Sequence, residues 1–555
     1  MQRKSISNLL GGGSVANKQQ DLQNLSKINK PTTSKPSRGK NMLNTLESIK
    51  FNVNKYLGKY KDKVEACRDI NAYISYIDKA IEFGYISIDT ETDGLDPLIN
   101  NVLGVCLYVP GQKAIYAPTN HRSYITGNLL NNQIPKDVIT EQFNRIKDAG
   151  VKIIMHNGKF DKRMILSNYK VDLTVYWDTM IAAKLLNNLD KAALKWQYAK
   201  YIRNESQEYD FDSLFKEIEF AYVPVDIAGL YGATDPLITW DLYEYQIKEF
   251  KKYPRVYDLF KNLEMPLIDV VCEMENTGIC LDLNYAQELH EKYHKLKKEC
   301  MQVVTKELEK YKPQIDLYML KNPKGKFTIP VNVDSPTQLA ILLYDIIQVG
   351  VLDKDSPRGT GVEILEKWGT PLAKAILEYR TVTKLLTTYI DKLPYSLNPN
   401  TNRLHASFIQ VKDDKNGTDT GRFASADPNL QNIPSHNKEI RKLFVASPGY
   451  ALIGSDYSQQ EPKLLTHFSQ DENMAKAYAD GKDLYATIAA QAFDRKYEDC
   501  LEFYPEGTVI KEKGKEVVCG YKTHTNKVGK EYRSQAKSIL LGRPRGYNAP
   551  LYSNI

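Results

Sequence analysis

The 555-residue chain has little cysteine, and its seven cysteines are odd in number and widely scattered. None forms a C-x-x-C pair, which argues against a disulfide framework or a cysteine zinc site and predicts a reducing, intracellular setting. No segment approaches the roughly 18 apolar residues of a membrane helix, so no membrane association is expected. A P-loop G-x-x-x-x-G-K-[ST] and an internal repeat are also missing, which excludes that kind of phosphate-binding loop and a solenoid.

The positive charge of the chain is concentrated at its amino terminus. Lys and Arg number 75 against 68 Asp and Glu, and residues 1–45 hold eight basic residues and one acid, which accounts for the whole net charge of +7. These residues are rich in Ser, Asn and Gly, so a flexible basic tail is predicted over residues 1–50. It either keeps the protein in solution or tethers DNA. Elsewhere the charge is balanced, so binding of nucleic acid has to come from local patches.

The remaining sequence predicts an α/β multidomain protein, because 42% of the residues are hydrophobic and their periodicity changes along the chain. Residues 51–250 mix strands and helices. FGYISIDTETDGL begins as a strand, with NVLGVCLYV and KAIYAP as antiparallel neighbours, and VKIIMHNGKFDKRMIL gives strand, turn and helix. Residues 251–395 are mostly helical and charged, and residues 396–555 return to mixed structure.

Acidic residues recur at the ends of these predicted elements. Asp89 and Glu91 lie two apart at a strand end and share one face of the strand. Two carboxylates held together repel each other unless a cation lies between them, and oxygen ligands suit Mg²⁺ or Mn²⁺. The pair alone is more typical of a solvated strand end, because about eight acid-x-acid pairs are expected by chance among 68 acids in 555 residues. Its company favours a site, because Asp161 follows Asn157 by four residues and Asp235 follows Tyr231 by four.

The order D-x-E, N-x-x-x-D, Y-x-x-x-D resembles the three exonuclease motifs of the 3′–5′ proofreading domain in family A DNA polymerases. That resemblance implies a ribonuclease-H-like fold with two Mg²⁺ (or Mn²⁺) ions for phosphodiester hydrolysis. It assigns metal binding to four carboxylates and orientation of the attacking water to one tyrosine. These catalytic residues are Asp89, Glu91, Asp161, Asp235 and Tyr231. Asp178 and Asp93 are expected to cap helices or support the site.

Three later segments resemble the polymerase motifs of the same family. TDTGRFASADPNLQNIPS implies DNA contacts, in which a guanidinium binds phosphate and two amides reach minor-groove acceptors. YALIGSDYSQQEP predicts a strand ending in a catalytic carboxylate that binds two further ions at a complete polymerase site, followed by a glutamate that excludes a ribose hydroxyl. YRSQAKSILLG implies a cationic helix face for a nucleotide triphosphate. The residues assigned in this way are Arg422, Gln431 and Asn432 to DNA, Asp456 and Glu461 to the polymerase site, and Arg533 and Lys537 to the nucleotide.

The resemblance stops after Gly542. Arg545 stands where the family has tyrosine, Pro544 would end or kink the helix, and the later His-Asp-Glu motif is missing. The sequence therefore predicts an exonuclease domain, a helical thumb over 251–395, and an incomplete palm and start of the fingers over 396–555, with 543–555 an unrelated extension. An intron, an insertion, a split gene and a frameshift all remain open explanations. No 5′-nuclease domain is expected ahead of the exonuclease, and the arrangement looks like that of phage replicative polymerases.

The function expected from this resemblance is DNA-templated DNA synthesis with 3′–5′ proofreading, in which these 555 residues supply an intact exonuclease. The expected partners are primer–template DNA, single-stranded 3′ ends, deoxynucleoside triphosphates and possibly a second chain that completes the palm. The expected location is the cytoplasm, or the host-cell cytoplasm if a phage encodes the protein. The alternatives are a stand-alone 3′–5′ exonuclease and a catalytically dead DNA-binding fragment.

Overall fold

The computed structural model describes residues 40–542 except 208, 216, 415, 436, 513 and 514. The described chain divides into two compact units, with the boundary between Ala451 and Leu452. Most of the predicted tail and the predicted extension 543–555 lie outside the described residues.

Strands occur in both units, and most of those in the first unit belong to one sheet. The strands of the first unit are β1 Val64–Ala66, β2 Tyr85–Thr92, β3 Val102–Tyr108, β4 Ala114–Pro118, β5 Lys152–Met155, β6 Val175–Asp178, β7 Cys280–Leu281, β8 Ser407–Ile409, β9 Ala424–Ala426 and β10 Phe444–Val445. Those of the second unit are β11 Val509–Glu512 and β12 Lys515–Val518.

Helices dominate the first unit and connect the strands of its sheet. The helices of the first unit are α1 Lys40–Leu57, α2 Ile70–Phe83, α3 Lys136–Asp148, α4 Gly158–Tyr169, α5 Thr179–Leu186, α6 Leu194–Tyr198, α7 Phe211–Phe215, α8 Val225–Gly232, α9 Thr234–Phe250, α10 Pro254–Leu259, α11 Met265–Thr277, α12 Leu283–Glu309, α13 Lys312–Lys321, α14 Pro336–Ala340, α15 Val362–Trp368, α16 Pro371–Leu385, α17 Lys392–Tyr395 and α18 Lys438–Lys442. Those of the second unit are α19 Gln460–Ser469, α20 Glu472–Ala479, α21 Leu484–Ala492 and α22 Lys527–Gly542. The mixed α/β multidomain fold class is confirmed.

Six strands of the first unit form a mixed sheet in the order β1-β4-β3-β2-β5-β6. Strand β3 pairs antiparallel with both β2 and β4, while β5 runs parallel to β2 and to β6. The prediction of antiparallel neighbours is confirmed for β3. It is wrong for β4, which pairs with β3 and β1 and therefore has no direct contact with β2 in the ladder.

The alternation of side chains along β2 separates an apolar face from an acidic one. Ile86 and Ile88 point into the core on one side of the sheet, which also contains Trp177. Asp89 and Glu91 pair in register with Cys106 and Gly104 of β3. The sheet therefore presents its two acids on the face opposite Ile88.

Tyr116 of β4 fills the space between strand β3 and helix α8. A Cβ atom added at Gly104 would lie 2.1 Å from the Tyr116 ring, and one added at Gly232 would lie 2.9 Å from it. The tyrosine is fully buried and its hydroxyl bonds to His121 at 2.5 Å. Because Gly104 and Gly232 have no side chains, the Tyr116 ring fits between the sheet and the helix that carries Tyr231.

The amino-terminal tail ends earlier than expected, because residues 40–50 form the start of helix α1. Leu46, Ile49 and Val53 are buried, which places an apolar stripe with helical spacing on the fold. Because this segment is also rich in Lys and Asn, its composition resembles that of the flexible tail, and composition alone does not reveal the apolar stripe.

Helix α11 fastens the sheet region to the helical region that follows. It carries Glu275, whose side chain is fully buried and bonds Lys159 at 2.6 Å and Arg163 at 2.5 Å on α4. Phe408 of β8 donates its backbone N–H to the same carboxylate at 2.6 Å. Residues 265–277 therefore pack on the exonuclease-like core, although the pattern of the sequence groups them with the helical segment.

The prediction of a strand over YALIGSDYS, residues 450–458, is wrong. Residues 451–457 form neither helix nor strand, and Leu452, Ile453 and Tyr457 are 61, 92 and 80% exposed. A strand needs neighbours for its N–H and C=O groups, and no strand of the described residues pairs with this segment. Strands β11 and β12 of the second unit pair antiparallel with each other.

No helix in the described part of the chain combines the length and the apolar character that crossing a membrane requires.

The packing of Tyr116 gives a direct stability test. Gly104→Ala should lower the free energy of unfolding by about 1–3 kcal/mol, because the new methyl group overlaps the buried ring. Gly58→Ala is the matched control, because no atom lies within 4 Å of a Cβ added there. Chemical denaturation measures both changes, and a Gly104→Ala variant as stable as the control would contradict the packing.

Candidate functional site

Four carboxylates converge on one side of the sheet. Asp89 and Glu91 come from β2, Asp161 from the first turn of α4 and Asp235 from the first turn of α9. Ligand oxygens of Asp89 and Glu91 lie within 4.8 Å of each other and of the Cys106 sulfur. The structure therefore brings together the four acids that the sequence motifs single out.

The carboxylates raise one another's pKa values. Burial raises the pKa of Asp89 well above its usual range, and the charges of Asp161, Asp235 and Glu91 raise it further. Burial, followed by the charge of Asp235, raises the pKa of Glu91 to about 8. Burial is the main cause that raises the pKa of Asp161 to about 7. Without a cation the group retains protons, because burial and like charges both oppose ionisation.

Asp161 is held in place from both ends of its turn. Thr90 of β2 donates its backbone N–H at 2.9 Å and its hydroxyl at 2.6 Å to Asp161 Oδ1. At the start of α4, Asn157 has a left-handed backbone with φ of 59°. Asp178 accepts the Gly158 N–H at 2.7 Å and also caps α5. The expectation that Asp178 is a capping residue is confirmed.

Asp93 closes the turn between β2 and β3. Its carboxylate accepts the backbone N–H of Asn101 at 2.7 Å and the side-chain amide of Asn101 at 3.0 Å. It is exposed. The role observed for Asp93 is closure of this turn, which is neither of its two expected roles, helix capping and support of the site.

Lys195 of α6 also lies in the site, although none of the sequence motifs includes it. It donates a short hydrogen bond to Asp235 Oδ2, lies 3.3 Å from the Tyr231 hydroxyl, and places its ammonium 4.8 Å from the centre of the Tyr231 ring. Burial lowers its pKa, but the charges of Asp235, Tyr231 and Tyr209 and the hydrogen bond to Asp235 together outweigh burial and leave the pKa well above its usual value. Lys195 precedes Asp235 by 40 residues, and no local spacing marks it, so only the fold reveals it.

The donor set fits a hard divalent cation. The four acids offer only oxygen ligands, which Mg²⁺ and Mn²⁺ prefer. Asp235 Oδ1 is buried and has no hydrogen-bond partner among the described residues. Burial raises the pKa of the Cys106 thiol well above its usual range, so the sulfur stays neutral and forms part of the wall. Asp89, Glu91, Asp161 and Asp235 could therefore hold a metal.

The segment predicted to contact DNA lies on the surface of the first unit. Arg422, Gln431 and Asn432 are exposed. The Gln431 side chain donates to the Phe423 carbonyl at 3.0 Å, and the Tyr389 hydroxyl donates to the Asn432 carbonyl. These bonds fold the segment back on itself and bring Gln431 beside the residue after Arg422.

The acids predicted for the polymerase site lie in the second unit. Asp456 and Glu461 are exposed, and Asp456 belongs to the stretch without helix or strand. Among the described residues, Asp456 is not part of any group of three potential metal ligands. The arrangement found around Asp89 is not repeated around Asp456.

The predicted nucleotide-binding cations lie on α22, as expected from their spacing of four residues. Arg533 forms ion pairs with Asp483 at 2.9 Å and Glu502 at 3.5 Å, and it lies 5.1 Å from the ring centre of Tyr485. Lys537 lies 6.0 Å from the same ring. In this structure the Arg533 charge is neutralised within its own unit.

Comparison with known proteins finds two matched regions in the chain. Residues 62–249 match the family model described as 3′-5′ exonuclease, and residues 286–502 match DNA polymerase family A. DNA polymerase I of Borreliella burgdorferi is 33% identical over 414 residues, which cover 74% of this chain and 42% of that protein. DNA polymerase I of Chloroflexus aurantiacus is 32% identical over 447 residues, which cover 78% of this chain and 44% of that protein.

A solved structure shows a similar fold. It is the POL domain of Pol1 from M. smegmatis in complex with DNA primer-template and dNTP, with a TM-score of 0.60 at 20% identity, over 85% of this chain and 70% of that one. The chain spans less than half the length of the two curated relatives described above. The chain therefore belongs to the family A DNA polymerases and carries a 3′–5′ exonuclease region ahead of its polymerase region.

Proposed function

We propose that this chain hydrolyses the terminal phosphodiester at DNA 3′ ends, and that it does so as the proofreading part of a DNA-templated DNA polymerase. The observation that carries the proposal is the convergence of Asp89, Glu91, Asp161 and Asp235 on one buried face, with Tyr231 beside them. Single-stranded 3′ ends and primer–template DNA are the corresponding partners. The similarity to DNA polymerase I proteins, and to a polymerase domain solved with DNA primer-template and dNTP, supports a role in DNA synthesis.

The ions that this site would hold are two Mg²⁺ or Mn²⁺, with the four carboxylates as ligands. Bound divalent ions supply the activation of water and the charge stabilisation that phosphodiester hydrolysis requires. Asp235 supports this arrangement, because Lys195 occupies its Oδ2 while its buried Oδ1 has no partner in the described structure. One carboxylate can thus serve the lysine and a metal at the same time.

The protein's own contribution is to position the attacking water and to neutralise charge. The Tyr231 hydroxyl orients the water, and Lys195 holds that hydroxyl and Asp235 together at the wall of the site. Thr90 fixes the Asp161 oxygen through two hydrogen bonds. Because these groups are held in position before substrate arrives, little of their rotational freedom has to be lost during the reaction.

In polymerisation, Asp456 would bind two ions of a complete site, and Glu461 would exclude a ribose 2′-hydroxyl. Arg533 and Lys537 would bind the triphosphate of a deoxynucleotide, after Arg533 exchanges Asp483 for phosphate. Arg422 would contact backbone phosphate, and Gln431 and Asn432 the minor groove. A downstream segment or a second chain would supply the other carboxylate, because the His-Asp-Glu motif is not found in these 555 residues. The cytoplasm is the proposed location.

The exonuclease assignment is tested with a 5′-labelled single strand in Mg²⁺ or Mn²⁺. Asp89→Ala combined with Glu91→Ala should reduce shortening of the strand to background, because both acids of β2 are removed. Asp93→Ala is the matched control and should retain most of the rate, since Asp93 only closes the adjacent turn. A double variant that is folded by circular dichroism and digests at the unmodified rate would refute the assignment.

Lys195 is tested by Lys195→Met, which keeps the length of the side chain and removes its charge. The rate of hydrolysis should fall by about 10–100-fold, because Tyr231 and Asp235 lose the group that positions them. Lys191→Met is the control, because that side chain is exposed on the same segment. Equal rates for both variants would show that Lys195 has no part in the reaction.

Primer extension with all four deoxynucleotides tests the proposal that these 555 residues supply the exonuclease site but an incomplete polymerase site. We expect the 555-residue chain to shorten the primer and not to extend it, because Asp456 has no second carboxylate motif with which to hold two ions. Joining a family A segment that carries that motif in place of residues 543–555 should restore extension. Robust extension by the unmodified chain would mean that the polymerase acids have been misassigned.

A further inference from the structure

A second cluster of potential metal ligands lies in the helical region of the first unit, apart from the carboxylate site. His290 and His294 stand one helical turn apart on α12, and Asp391 follows the π-helical turn Leu386–Ile390 that continues α16. His290 Nδ1 lies 2.9 Å from Asp391 Oδ1, and His294 Nε2 lies 3.1 Å from Asp391 Oδ2. One ligand atom from each of the three residues lies within 4.8 Å of the other two.

The packing beneath the cluster holds its members in place. Leu289 and Tyr293 precede the two histidines on α12 and are buried at 2 and 6% exposure, in the same core as Leu386 and Ile390. Because the buried pair has the same spacing of four residues, the histidines emerge together at the rim of the interface. Two ligands on one rigid helix and a third on the element packed against it form a preorganised set.

The donor types identify the class of cation. Two imidazole nitrogens and one carboxylate oxygen suit a borderline transition metal such as Zn²⁺, Co²⁺ or Ni²⁺ far better than Mg²⁺. For Zn–N bonds of about 2.0–2.1 Å, tetrahedral ligands stand roughly 3.4 Å apart. The two nitrogen–oxygen distances of 2.9 and 3.1 Å are within about half an ångström of that separation.

The cluster is also accessible to an ion from solvent. The side chains of His290, His294 and Asp391 are 22, 43 and 26% exposed. A metal entering from the surface would displace the protons that the imidazoles share with the carboxylate. The exposed side leaves a fourth position for water.

We propose that His290, His294 and Asp391 form a surface binding site for one transition-metal ion of the Zn²⁺ class, which ties α12 to the end of α16 and its π-helical turn. The site does not depend on the proposed nuclease or polymerase function. Its role is structural, since the ion joins two helical elements through three protein ligands.

The test is calorimetric titration of the full chain with Zn²⁺ in excess Mg²⁺ at neutral pH. The Asp89→Ala, Glu91→Ala background is used, so that the carboxylate site does not contribute. One equivalent of Zn²⁺ should bind, and His290→Asn or His294→Asn should each weaken its binding by at least about tenfold. His467→Asn, at an exposed histidine of the second unit, is the matched control and should leave binding unchanged.

Thermal unfolding provides a second readout that also reports whether each variant is folded. Zn²⁺ should raise the melting temperature of the background protein, because a ligand that binds only the folded state stabilises it. That increase should disappear in Asp391→Asn, which retains polar contacts with the imidazoles. Absence of Zn²⁺ binding, or binding that survives in the folded histidine variants, would overturn the proposal.

Discussion

The convergence of four carboxylates in one largely buried site is the constraint on which this structure depends. Glu91, Asp161 and Asp235 are buried and Asp89 is partly buried. Burial raises the pKa of all four, and the charges of neighbouring carboxylates raise the pKa values of Asp89, Glu91 and Asp161 further, whereas Lys195 lowers that of Asp235. Such a group exists only with bound protons or with cations, because isolated buried charge is expensive. Lys195 supplies one fixed positive charge beside Asp235. The remaining need for positive charge is the physical basis of a divalent metal site.

Several buried contacts hold together the elements that carry the carboxylates. Gly104 and Gly232 make room for the Tyr116 ring, so that the helix carrying Tyr231 lies close to the sheet. Glu275 connects α4 to α11 and to β8, with bonds of 2.5 to 2.6 Å. The second unit contrasts with this order, because its predicted catalytic strand has apolar side chains in solvent and no pairing partner among the described residues. Buried contacts thus connect the elements of the first unit around the carboxylates, whereas no strand in the part of the chain that the structure describes pairs with the stretch around Asp456.

Much of the site was predictable from the sequence because its acids occupy the first turns of helices or the end of a strand. Asp161 and Asp235 each follow a signature residue by one helical turn, and the alternation of β2 puts Asp89 and Glu91 on one face. Lys195 was not predictable, because its contact with Asp235 joins two elements that only the tertiary fold brings together. The strand expected at Asp456 failed for a related reason: local apolar character favours a strand, but pairing with other strands decides whether it forms. Helix α1 was missed because the polar composition around it concealed a buried stripe at Leu46, Ile49 and Val53.

The measurement that tests this account most directly is a crystal structure of the chain soaked with Mn²⁺ and a short single-stranded DNA, with anomalous diffraction at the manganese edge. We predict anomalous density among Asp89, Glu91, Asp161 and Asp235, next to the 3′-terminal phosphate, and we expect Lys195 to remain hydrogen-bonded to Asp235 Oδ2. The same soak of Asp89→Ala, Glu91→Ala crystals should remove that density. Carboxylates that remain free of Mn²⁺ in the unmodified chain, with the DNA bound elsewhere, would contradict the claim that their repulsion is balanced by catalytic cations.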